Sequence, residues 1–255
     1  MFFPYKDDNP RILVPYVTYA IIAVNVLVYL YQSLALNLAA QQLFSLRLGL
    51  IPYNLWGGDA APILGNYTSV LSQIYGPEIG NLIRDQRLLP GPVTLLTSPF
   101  LHGGLLHLGG NMLFLYVFAD NIESALGHVR FALFYVLTAV VAGLAHAAVF
   151  PGNLLPVIGA SGAVSGVLGA YVLKYPQARI HVFVFIVVFF TTIRLPALVV
   201  LGYWFLVQII NGAASMQMQI SGGTAWFEHI GGFGAGITYM AINDQRIKFP
   251  RHHGR

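Results

Sequence analysis

Runs of about twenty apolar residues recur along this chain, at 14–36, 104–122, 130–150, 158–175, 196–213 and 225–243. A helix of that length crosses the roughly 30 Å hydrocarbon core of a bilayer, so a chain built from such runs is an integral membrane protein. Composition agrees, because 255 residues that are 56% apolar and 9% charged carry more apolar surface than a soluble domain hides. The expected fold is all-α, a bundle of six transmembrane helices. Residues 1–13 form a cytoplasmic N-terminal segment, 14–243 the membrane domain and 244–255 a basic cytoplasmic tail. The first run is longer than a signal peptide's apolar core and no A-x-A site follows it, so it reads as a retained span.

Two stretches fall outside the spans. His181 to Ile193 is rich in Val, Ile and Phe but too short to cross, and Arg194 with Pro196 ends it. It reads as extended or interfacial, the alternative being a lengthening of the fifth span. Residues 37–103 contain Pro52, Gly57, Gly58, Pro62, Pro77, Pro90 and Pro92, which break any regular pattern and predict a long interfacial loop between the first two spans. The 13 basic residues are dispersed, so nucleic acid is not an expected partner. Without cysteine there is no thiolate chemistry.

With the N-terminus cytoplasmic, Lys6, Arg11, Arg130, Lys174, Arg179, Arg194, Arg246, Lys248, Arg251 and Arg255 fall inside and only Arg47, Arg84 and Arg87 outside. The positive-inside rule therefore places both termini in the cytoplasm, and the small extramembrane parts suggest a prokaryotic plasma (inner) membrane. In that orientation the second, fourth and sixth spans begin at the outer face. Asn111, Ser161 and His229 then share one depth, roughly 5–10 Å below the surface.

Ser161 sits in GASGAVSG, residues 159–166. This is not the G-x-S-x-G elbow of soluble hydrolases, because Ala163 follows Gly162. Gly159 and Gly162 let backbone approach the serine. Gly162 and Gly166 on the fourth span are spaced to face Gly232 and Gly236 on the sixth, a small-xxx-small arrangement that permits tight helix contact. On the bland reading these are packing glycines and Ser161 a small interface residue. His229, three residues before Gly232, adds a second: a serine needs a base, and histidine titrates near neutrality. Glu228 points about 100° away from His229 on a helix and reads as a dipole partner at the helix start. Asp120 and Glu123 fall about 14–18 Å deeper than Asn111, and Asp244 lies far along the last span. No acid reaches the site, so the residues argue for a Ser–His dyad.

An oxyanion needs donors. In HGGLLHLGGN, residues 102–111, His107 and Asn111 are four apart and share a helix face, and the Ser161 N–H is a third candidate. The pair alone reads equally as interhelical glue. His146 reads as structural, His128 and His181 as boundary residues, and His252 and His253 as part of the tail. No zinc-ligand spacing and no pair of aspartates inside the spans supports another intramembrane protease chemistry, so no metal or cofactor is expected.

Three blocks, FLHGGLLHLGGNMLFLYVFADNIESALGHVRFALFY (100–135), GASGAVSGVLGAY (159–171) and HIGGFGAG (229–236), together resemble the rhomboid intramembrane serine proteases in order and spacing. The resemblance implies Ser161 as nucleophile, His229 as general base, His107 and Asn111 as oxyanion partners, Gly159 in support, and His102 bracing the loop before the second span. It implies transmembrane proteins as substrates, with membrane lipid around them. Two residues depart from the pattern. Ser165 stands where some relatives carry an aromatic that stacks on the base, and Glu228 stands where alanine commonly precedes the histidine. No Trp-Arg pair like that of some members occurs in 37–103. The rival readings are a non-catalytic relative that escorts membrane clients, although such relatives typically lose the serine or the histidine, and a transporter, although the polar groups cluster at one depth.

Overall fold

A computed structural model of the chain describes residues 2–10, 12–77, 79–84, 86–186, 189–217 and 225–243. The tail at 244–255, with Asp244, His252, His253 and its four basic residues, and Arg11 lie outside the described residues. The chain opens with strand β1 (Phe2–Asp7) and helix α1 (Tyr16–Leu30), which runs on into a π turn, Tyr31–Ala35. Five short helices follow: α2 (Leu38–Leu48), α3 (Pro52–Leu55), α4 (Ala60–Tyr75), α5 (Ile79–Arg84) and α6 (Gly91–Thr97). Next come α7 (Leu105–Phe114), a π turn at Leu115–Ala119, α8 (Asp120–Leu126) and α9 (His128–Val149). Helix α10 (Ser161–Lys174), strands β2 (Arg179–Ile186) and β3 (Phe189–Pro196), and helices α11 (Ala197–Gln217) and α12 (Trp226–Asn243) complete it.

All six apolar runs are helical. Three helices, Tyr16–Ala35, His128–Val149 and Ala197–Met216, are long and apolar enough to cross a membrane, and Gly91–Phe100 with Leu105–Leu126, bent by 85°, make a fourth if counted as one span. Helix α10 has only 14 residues, about 21 Å of rise. It is the centre of the bundle, with every residue from Gly162 to Val172 buried.

The expectation of an all-helical chain needs one correction. Strands β1, β2 and β3 form an antiparallel sheet in that order. In β2 the apolar residues alternate, with Ile180, Val182 and Val184 buried and Phe183 exposed, the period of two that makes a strand. The described residues of the 181–193 stretch, 181–186 and 189–193, are therefore extended, and α11 starts only after Pro196.

The 37–103 connection also differs from the irregular loop that its prolines and glycines predicted. Pro52 and Pro92 sit in the first turn of α3 and α6, where a missing N–H costs nothing, and Gly76 ends α4 at φ 89°. These residues punctuate helices. Leu46, Ile51, Ile63, Tyr67, Leu71, Ile79 and Ile83 give the segment a small core of its own.

Element ends gather at two faces. At one, the buried Glu123 carboxylate accepts from the N–H groups of Val17 (3.0 Å) and Thr18 (2.8 Å) and from the Thr18 hydroxyl (2.6 Å), occupying the positive start of α1. His128 Nδ1 lies 2.5 Å from the same carboxylate. Tyr171, near the end of α10, donates to Asp7 at 2.5 Å, and Asn121 donates to the same oxygen at 2.9 Å. His181 bonds Asp8 at 2.7 Å, and that bond holds the Asp8 carboxyl below its ordinary value. His128 and His181, read from sequence as boundary residues, are thus each tied to a carboxylate. The starts of α7, α10 and α12 lie at the opposite face, where they line one cavity.

Candidate active site

Ser161 is the first residue of α10. The N–H groups of a helix's first turn have no intrahelical partner, and the helix dipole makes that end favourable to negative charge. The chain reaches it through Gly159 at φ 129°, a backbone conformation closed to most side chains. Space demands glycine there as well. A Cβ would stand 2.7 Å from Cε1 and Nε2 of His107 and 3.7 Å from the Ser161 hydroxyl. The His107 ring therefore lies directly over the Gly159 backbone, beside the serine.

His229 lies in the first turn of α12 and is buried. Two glycines bring its helix to α10: a Cβ at Gly232 would overlap the carbonyl oxygen of Gly162, and one at Gly236 the carbonyl oxygen of Gly166. A third contact of the same kind sets Gly169 against the Phe233 carbonyl. The helices thus meet backbone to backbone along their length. The small-xxx-small faces seen in the sequence lie against each other in the register the spacing suggested.

Ser161, His229, His107 and Asn111 all line one cavity of about 710 Å³. Asn111 donates its amide to His102 Nε2 at 3.0 Å, and the His102 and His107 rings meet edge-on at 5.1 Å. The His102 N–H in turn approaches Gln32 of the α1 extension at 3.4 Å. His102 therefore holds the asparagine itself as well as the loop before α7. Ser165 points its hydroxyl back to the Ser161 carbonyl at 2.6 Å.

Four residues in this region were not legible as its parts. Gln208 of α11 places Oε1 2.7 Å from His229 Nδ1. Trp204, one turn earlier on α11, faces the His229 ring at 5.8 Å and 33°, and Trp226 meets it edge-on at 6.1 Å. His146 of α9 lines the cavity with both ring nitrogens buried and unpaired among the described residues.

Glu228, read from sequence as a dipole partner, is also buried, its Cγ against Gly162 and its Oε2 without a hydrogen-bond partner among the described residues. An unsatisfied buried acceptor is destabilising. Glu228→Ala is therefore expected to raise stability by about 1 kcal/mol, read as a higher thermal midpoint in detergent. A lower midpoint would mean that the carboxyl stabilises the fold.

A family model described as Rhomboid domain matches residues 91–245. Rhomboid protein 1, mitochondrial, of Saccharomyces cerevisiae is 32% identical over 175 residues, 64% of this chain and 46% of that protein. Presenilin-associated rhomboid-like protein, mitochondrial, of Mus musculus is 34% identical over 97 residues, 37% of this chain and 26% of that one. Inactive rhomboid protein 1 of Drosophila melanogaster is 33% identical over 78 residues, 31% of this chain and 5% of the other. The chain thus spans less than half the length of these curated relatives.

Proposed function

The chain belongs to the rhomboid family, and from that premise we propose that it is an intramembrane serine endopeptidase cutting transmembrane proteins in or beside their spans. The observation that carries this reading is the meeting of Ser161, His229, His107 and Asn111 from three helix starts at one cavity. One relative is named inactive, but this chain keeps both the serine and the histidine.

In this mechanism His229 takes the Ser161 proton as Oγ attacks the substrate carbonyl. The oxyanion receives the Ser161 N–H at the start of α10, the His107 ring and the second N–H of the Asn111 amide, the first being held by His102. His229 then protonates the leaving amine. Water entering the cavity hydrolyses the acyl-enzyme, with His229 again as base.

The proposed placement is six crossings with both termini on one side. The starts of α7, α10 and α12 at one face, and the start of α1 against the end of α8 at the other, support that alternation. Lys6, Arg130, Lys174, Arg179 and Arg194 mark the second face as the cytoplasmic one by the positive-inside rule. The plasma membrane is part of the proposal for this chain, whereas two of the relatives above are mitochondrial by name.

A substrate helix hydrogen-bonds its own backbone and must unwind before its carbonyl reaches Ser161. In liposomes containing the purified protein, substrates with Gly or Pro near the scissile bond are expected to be cut at least about fivefold faster than Leu-rich ones, since one interior Gly weakens a helix by about 1 kcal/mol and Pro by about 3. Equal rates across the panel would remove unwinding from the mechanism. No cleavage of any member by a folded preparation that also fails to react with a fluorophosphonate would move the escort reading ahead.

A further inference from the structure

We infer that Gln208 is the positioning residue of the base: it fixes which nitrogen of His229 carries the proton, and does so from a different helix. The inference rests on Ser161 and His229 being nucleophile and base. The sequence offers no acid placed to orient His229, since Glu228 beside it points about 100° away on the helix, so a dyad alone leaves the imidazole free to turn and to tautomerise. In the structure it is held.

The Gln208 side chain is buried and its two ends have different partners. Its Nε2 donates to the Trp204 carbonyl at 3.1 Å, and its Oε1 faces His229 Nδ1 at 2.7 Å. A carbonyl oxygen only accepts, so the amide nitrogen must face Trp204, and the orientation of the amide is dictated by chemistry. An amide oxygen also only accepts, so the neutral imidazole must carry its proton on Nδ1. The lone pair is left on Nε2, ready to take the serine proton. Once His229 has taken it, Gln208 Oε1 accepts a hydrogen bond from the imidazolium without adding another ionisable group to a site that already holds His107, His146 and Glu228.

The ring plane is restrained from the same element. Trp204 lies one turn before Gln208 and faces the imidazole, while Trp226 closes the edge. Ser165 of α10, the position where some similar proteins carry a stacking aromatic, bonds back to the Ser161 carbonyl instead. Helix α11 thus supplies both the hydrogen bond and the facing ring. A shift of α11 of about 1 Å stretches the 2.7 Å bond beyond useful length, so the base is competent only while α11 is docked on α12.

The experiment compares the full-length parent, Gln208→Met, Gln208→Glu and Ser161→Ala in liposomes with one transmembrane substrate, with kcat, KM and pH profiles for each. The ¹⁵N-histidine spectrum in detergent reads the His229 tautomer directly, with His229→Ala identifying the resonances. Methionine conserves volume and removes the acceptor; glutamate keeps it. The parent is expected to hold its proton on Nδ1. Gln208→Met should lose about tenfold to a hundredfold in kcat with KM within about threefold, and move protonation towards Nε2. Gln208→Glu should recover to within about fivefold of the parent. A carboxylate beside the imidazole favours its charged form, so the acid limb of its pH profile should move to higher pH.

An active parent whose Gln208→Met variant keeps kcat and pH profile, or a parent spectrum with the proton on Nε2, would overturn the inference. If the parent cleaves nothing and Ser161→Ala reacts with a fluorophosphonate as the parent does, the protease reading fails. The spectrum still decides what Gln208 does to His229. Matching circular dichroism of parent and Gln208→Met separates lost positioning from lost fold.

Discussion

Ser161→Ala is expected to lower kcat/KM for a model transmembrane substrate by at least about 10³-fold and to abolish fluorophosphonate labelling, with the thermal midpoint almost unchanged. The size follows from what replaces the hydroxyl. In the variant, water must attack without a covalent step, with only the donors around the start of α10 and substrate positioning left to lower the barrier. Stability should hold because Ser161 begins its helix without capping it through a side-chain hydrogen bond. His229→Ala should cost about as much, and the double variant little more, since residues acting as one unit are strongly non-additive. Parental cleavage by Ser161→Ala would remove the serine from the reaction, and multiplying losses in the double variant would mean that the two residues act separately.

The helical character of the bundle was legible because membrane helices announce themselves by length and apolarity: each of the six runs is helical, although only three helices, or four with the bent pair, are long and apolar enough to cross. The sheet was half legible. The Val, Ile and Phe content of β2 and β3 marked an extended stretch, but its pairing with β1 joins residues 2–7 to 180–184, a contact across more than 170 positions that no local pattern encodes. The 37–103 connection was misread for a related reason. A proline counts as a helix breaker inside a helix and as a helix starter at its first turn, and which of the two Pro52 and Pro92 are depends on where each helix begins.

Site residues with a sequence signature, Ser161 among glycines and the His107 and Asn111 pair at helical spacing, were visible as candidates. Gln208 had no signature. A lone glutamine in an apolar helix reads as interhelical glue, and its link to His229 depends on how α11 is rotated against α12. The one clue was an absence, the missing acid for the histidine, which says that a partner is needed without saying where. Glu228 lies in the first turn of α12, as a dipole partner would, but its packing against Gly162 had no signature in the sequence.

Two glycines on α12 separate packing from composition. A Cβ at Gly236 would overlap the Gly166 carbonyl oxygen and lie 3.0 Å from the Ala170 nitrogen, whereas one at Gly234 would meet nothing within 4 Å. The atoms facing Gly236 are backbone, so no rotamer change makes room and α10 and α12 must separate. Gly236→Ala is therefore expected to cost about 3 kcal/mol of stability, the upper end for overpacking. It should also cost about 10²-fold in kcat/KM, because displacing the two helices by about 1 Å misplaces groups that must meet in the transition state. Gly234→Ala, the same chemical change two residues away, should be neutral or stabilising by up to about 1 kcal/mol through helix propensity. Thermal midpoints and cleavage rates of the pair measure both effects. Equal behaviour of the two variants would mean that α10 and α12 do not need their close approach, and with it would go the reason for holding Ser161 and His229 on these two helices.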